Sequence, residues 1–113
     1  MTVPYTFEFD AKNKILRGYF RGSVTDQIVI EFYGRTYDFV ARYDARAVLT
    51  DLTDVTTFDV SAATVQSLAR RLPAPSNNPD FVRIIVASDP HVFGMVRMFQ
   101  ILGDQTRPLL HVV

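Results

Sequence analysis

An α/β fold with a mixed β-sheet is the class this chain predicts, and three observations predict it. Tyr5, Phe7 and Phe9 alternate with Thr6 and Glu8, the period-two pattern of a strand with one buried face. Glu31, Arg35, Asp38 and Arg42 fall three or four residues apart, a charged stripe of alternating sign at helical spacing. Phe81 to Ala87, FVRIIVA, is apolar and β-branched almost throughout, and it leads into Asp89 and Pro90, a cap followed by a first-turn proline. Strand patterns thus alternate with helix patterns, and such a chain packs helices against a sheet.

Taken in order, the first strand is followed by a polar turn over Asp10 to Lys14. Ile15, Leu16, Tyr19 and Phe20, with Arg17 and Arg21 among them, make the second strand of an antiparallel hairpin that Gly22 and Ser23 close. Thr25 or Ser23 caps a helix reaching about Tyr43, whose charged stripe faces solvent while Ile28, Phe32, Phe39, Val40 and Tyr43 face the sheet. Arg46 to Leu52 is a third strand, and a Thr/Asp loop follows it. Val65, Leu68, Ala69 and Leu72 mark a short amphipathic helix with Gln66, Arg70 and Arg71 on its other side, ended by Pro73 and Pro75. PAPSNNPD is a surface loop by composition. Phe81 to Ala87 is expected to be a central strand, parallel to the third and covered on both faces. A helix from Asp89 to about Gly103 or Asp104 and a last strand over PLLHVV complete the order ββαβαβαβ.

At 113 residues the chain forms one core, so residues 1–113 are expected to be a single domain. Twelve basic residues balance twelve acidic ones, which leaves no global field to attract nucleic acid or an anionic membrane. The absence of Cys excludes disulfides, thiolate catalysis and Cys-bound zinc. Arg or Asp interrupts every long apolar run, so no membrane span is expected, and no signal-peptide pattern opens the chain. A cytoplasmic protein is the simplest expectation. Ten of the twelve basic residues are Arg, a bias that fits a GC-rich bacterial genome.

The helix after Pro90 has an unusually wide apolar arc. From Val92 to Leu102 only Arg97 and Gln100 are strongly polar, while Phe93, Met95, Val96, Met98, Phe99, Ile101 and Leu102 spread around the circumference. One sheet face cannot bury so much. Phe93, Met95, Met98, Phe99 and Leu102 are therefore the candidate surface for a homodimer or an apolar ligand, with core packing as the plain alternative.

Two segments, LTDLTDVTTFDVSAATVQSLA and FGMVRMFQ, resemble the SpoIIAA-like group of the STAS superfamily, the sulfate-transporter and anti-sigma factor antagonist domains. The resemblance covers nearly the whole chain and implies a SpoIIAA/STAS-like sandwich acting as a regulatory or protein-interaction module. In the best-known members a Ser that follows an Asp at the mouth of the second helix is phosphorylated. Here the Asp corresponds to Asp59 and the acceptor position to Val60, which has no hydroxyl; the family's glycine is replaced by Ala62 and Ala63. Ser61 remains as a hydroxyl near the same helix N-terminus, with helix capping as its alternative role. Relatives continue into a final helix where this chain stops at Val113, and a partner subunit is expected to cover the surface left bare.

If the third and fourth strands run parallel, the loops after them share one edge. Thr53, Asp54, Asp59, Ser61, Ser88 and His91 are the candidate regulatory or partner-binding residues at that edge. No nucleophile elbow, HxxxH pair or Gly-rich phosphate cradle is present, so no catalytic residues and no cofactor are assigned. Asp51, Asp54 and Asp59 invite a Mg²⁺ site, but loop polarity and capping explain them without a metal. His111 is read as a structural strand residue. Two function classes follow: a non-enzymatic STAS-like regulatory module, and a small-molecule or lipid binding domain using the apolar faces of the first and third helices.

Overall fold

The computed structural model describes residues 4–71, 80–102 and 110–113. Its elements are β1 (Tyr5–Asp10), β2 (Ile15–Thr25), α1 (Asp26–Tyr43), β3 (Ala47–Asp59), α2 (Ala62–Arg71), β4 (Val82–Val86), α3 (Pro90–Leu102) and β5 (Leu110–Val112). Among the described residues the chain is an α/β protein with three helices and one mixed five-stranded sheet in the order β1-β2-β3-β4-β5. β1 and β2 are antiparallel; β2, β3, β4 and β5 run parallel. No helix among the described residues is long and apolar enough to cross a membrane. The expectations placed on Leu72, on loop residues 73–79, on Gly103 and Asp104, on the start of PLLHVV, and on the side chains of Arg70, Arg71 and Leu102 lie outside the described residues.

The hairpin turn is built by Asp10, whose Oδ1 accepts the backbone N–H groups of Lys12 and Asn13 at 3.1 Å each. The bonds from Asn13 hold the Asp10 carboxyl below its ordinary pKa. Lys14 then takes a positive φ of 59° to re-enter the sheet. Thr25 caps α1, accepting the Ile28 N–H at 3.4 Å, and Asp44 ends it in the left-handed conformation with its N–H on the Val40 carbonyl. Asp89 caps α3, its Oδ1 accepting from His91 N at 2.9 Å and Val92 N at 3.2 Å, with Pro90 as the first helical residue.

Leu16, Gly18, Phe20 and Val24 of β2, Val48 and Leu52 of β3 and Ile85 of β4 all point to one side, where the helices lie. Phe32 of α1 is the centre of that side. Its ring packs against Tyr5, Phe7 and Phe20 at centroid distances of 5.5, 4.8 and 4.3 Å. It lies so close to Gly18 that an added Cβ would come within 2.5 Å of it.

Three expectations are corrected. The second strand does not close at Gly22 and Ser23 but runs to Thr25, with register shifts between Tyr19 and Arg21 and between Gly22 and Ser23; Gly22 adopts a φ of +70°, which lets the strand kink without ending. The third strand does not yield to a loop after Leu52. It continues to Asp59, because the long β2 offers Thr53 to Asp59 a backbone partner, and β-branched Thr and Val suit the extended chain. β4 is not covered on both faces: Phe81, Arg83, Ile85 and Ala87 are buried, whereas Val82, Ile84 and Val86 stay partly exposed on the side away from the helices.

Candidate functional site

The parallel strands bring the starts of all three helices to one end of the sheet. β4 pairs with β3 only as far as Val86 opposite Asp51, while β2 and β3 stay paired up to Thr25 opposite Asp59. Residues 52–59 of β3 thus form, with β2, an arm that runs past β4. At its tip the N-termini of α1 and α2 meet.

One carboxylate joins them. Asp26 Oδ1 accepts the Ser61 backbone N–H at 2.8 Å, and Oδ2 lies 3.2 Å from the Ser61 hydroxyl. Ser61 in turn caps α2, its Oγ accepting the Thr64 N–H at 3.1 Å and lying 3.1 Å from the Thr64 hydroxyl. The bond from the Ser61 N–H, with smaller contributions from the Thr64 and Ser61 hydroxyls, holds Asp26 below the ordinary carboxylate pKa. Asp26 announces nothing in the sequence beyond a favourable acid in a first helical turn, because its partner is 35 residues away.

The six edge candidates do not form one cluster. Asp59 and Ser61 are exposed at the arm tip. Phe58 connects them to His91, its ring 6.2 Å from the imidazole in an edge-on contact, and Ser88 is exposed just before α3. Thr53 and Asp54 stand at the other end of the arm, about 16 Å down the strand from Asp59. There the Thr53 N–H and hydroxyl both donate to Asp51 Oδ1, at 2.8 and 2.7 Å, and Asp54 stands in register with Arg21. Asp51, Asp54 and Asp59 are thereby strung along one strand. Val60, the residue that the STAS resemblance sets at the phospho-acceptor position, is buried in the core.

The α3 candidates divide in a similar way. Phe99 is buried with Val92 and Val96, and Met95 and Met98 pack against the same core, leaving Phe93 and Ile101 as the exposed apolar residues among the described side chains of the helix. Much of the wide arc is covered because α3 meets the sheet on one side, α2 on another and Tyr33 of α1 on a third, the Tyr33 and Phe99 rings being 5.6 Å apart. His111 is exposed, beside Ile84 on the sheet face away from the helices.

Between sheet and helices remains a cavity of about 60 Å³, lined by Phe20, Leu52 and Ile85 from the sheet and by Tyr33, Leu68, Met95 and Phe99 among others from the three helices. Next to it stands Arg83. Its guanidinium lies over the Tyr33 ring, 5.4 Å from the centroid. The residue is 5% exposed, and Nη1 has no hydrogen-bond partner among the described residues. Period-two alternation does announce this burial, since Arg83 shares a face with Phe81 and Ile85. No family model matches the chain, and no curated protein matches it.

Proposed function

We propose that the chain is a non-enzymatic, cytoplasmic regulatory or protein-interaction module of the STAS-like kind that works without a phospho-serine switch. The observation that carries this reading is the arm. Past Asp51 the outer edge of β3 is not paired with β4, and it exposes Thr53, Asp54, Thr56, Thr57 and Asp59 beside the Asp26–Ser61 contact. A strand edge of this kind accepts an added strand from a partner, and its acids favour a partner with basic side chains. The segment that resembles the STAS family, Leu49 to Ala69, runs along this same arm and into α2.

Two features support the absence of a switch. Val60 has no hydroxyl and is buried, and the Ser61 hydroxyl is engaged in capping α2. A phosphate on Ser61 would press two negative charges against the Asp26 carboxylate. The dispersal of the edge candidates into two groups also argues against a catalytic constellation. Two copies are joined through the sheet face that the helices leave bare.

Native and denatured mass spectrometry of the protein from its own host tests the reading. The expected result is an unmodified chain carrying a second, different polypeptide that Asp54→Lys with Asp59→Lys releases and Ser61→Ala retains. A chain carrying phosphate overturns it. The cavity favours a second reading, in which the domain holds a small apolar molecule between the sheet and the first and third helices.

A further inference from the structure

We propose that Arg83 is the counter-ion of a short apolar monocarboxylate whose hydrocarbon part occupies the cavity walled by Tyr33. The inference rests on the second reading above and adds the ligand's head group and size.

A guanidinium cannot escape burial by losing its proton, so inside a protein it requires an anion or a set of acceptors. Arg83 is buried on the helix side of β4, between Val48 of β3 and Leu110 of β5 in register. The Tyr33 ring occupies its face, which is favourable for a cation but offers no acceptor to the N–H groups at its rim. Nη1 is the buried donor without a partner among the described residues. The ion pairs present among those residues engage Arg17 and Arg35 instead.

The surroundings select the anion. Ile85, the next residue of β4 on that face, lines the cavity, and two residues of strand span about 7 Å. Tyr33 belongs to both places, with its ring under the guanidinium and in the cavity wall. A single molecule therefore reaches both if a charged end is joined to a few carbon atoms. One buried cation balances one negative charge, which a carboxylate brings; a phosphate dianion would leave a charge over in apolar surroundings. The cavity of about 60 Å³ has room for about four water-sized groups, which fits a four- to six-carbon acid and not a long acyl chain.

Isothermal titration calorimetry with 3-methylbutanoate and with its uncharged isostere 3-methylbutanamide tests this on the wild-type chain. The acid is expected to bind, and the amide to bind about tenfold more weakly or worse. Arg83→Met, checked for folding by circular dichroism, is expected to abolish the preference for the acid. If Arg83→Met does not fold, the wild-type comparison still decides, together with the shift of the Arg83 side-chain NMR resonances on adding the acid. Equal binding of acid and amide, or an acid preference that survives Arg83→Met, overturns the role of Arg83 and leaves the apolar-ligand reading standing. Binding of neither probe removes both. Inorganic phosphate binding as tightly as the acid would make this a general anion site and overturn the proposed ligand class.

Discussion

Asp26 gathers the starts of two helices with a single carboxylate, and the consequences belong to individual atoms. Ser61→Ala removes the cap of α2 and is expected to cost about 1 kcal/mol in urea unfolding. Ser61→Asp keeps a capping group but sets a second carboxylate beside Asp26, so it should destabilise the wild-type background more than the Asp26→Asn background; a double-mutant cycle reads the difference. Because the Asp26 pKa is lowered on folding, its contribution is complete above the ordinary value of 3.8 and fades as pH falls through the lowered value. Urea midpoints of wild type and Asp26→Asn should therefore differ near pH 6 and converge as the pH falls through the lowered value. A separation that persists in acid would mean that the carboxylate's charge is not what holds the helix starts together. At this scale the sequence is legible wherever a residue acts on its neighbours, as Asp89 does in capping α3. It is silent wherever the partner is distant in the chain, as Ser61 is for Asp26.

Elements differ in how tightly their backbones are pressed, and glycine substitutions measure it. Gly18→Ala on β2 drives a methyl group into Phe32, which cannot yield because Tyr5, Phe7 and Phe20 surround its ring; a loss of about 2 kcal/mol is expected. Gly34 of α1 and Gly94 of α3 have nothing near an added Cβ. Alanine at either helical site should stabilise by about 0.5–1 kcal/mol, so thermal melts of the three variants should move in opposite directions. The same local forces explain which elements the sequence reveals. The alternation in β1, the cap of α1 at Thr25 and the start of α3 at Pro90 are all written within a few residues. The far half of β3 is not, since Thr53 to Asp59 has the polarity of a loop and becomes a strand only because β2 extends alongside it. The two register shifts also break the period that would have marked it, and because the strand continues, Thr53 and Asp54 stand far from Asp59 along it.

The order of the sheet decides the shape of the whole molecule. Three successive crossovers, from β2 to β3, β3 to β4 and β4 to β5, each step to the next parallel strand in the same direction, and crossovers of one hand place their helices on one face. The opposite face is left to Ile15, Leu49, Val82, Ile84 and Val86, all partly exposed, with Glu8, Asp10 and Arg17 at its margin. An apolar centre with a charged rim is the anatomy of a protein interface. One row across the sheet reads Glu8, Arg17, Leu49, Ile84, His111 in register, so it carries an acid at one end and an imidazole at the other. In the proposed dimer, a second copy turned over about an axis along the strands sets its His111 near Glu8 and Leu49 against Leu49. Light scattering of the wild type should then give the mass of two chains, and Ile84→Glu, which puts a charge at the centre of the face, should give one. Phe93→Asp on the exposed side of α3 should leave the dimer intact, because Val92, Val96 and Phe99 of that helix are buried in the core and Met95 and Met98 pack against it. A monomeric Phe93→Asp beside a dimeric Ile84→Glu would move the interface to α3, and a wild type with the mass of one chain would leave the sheet face bare.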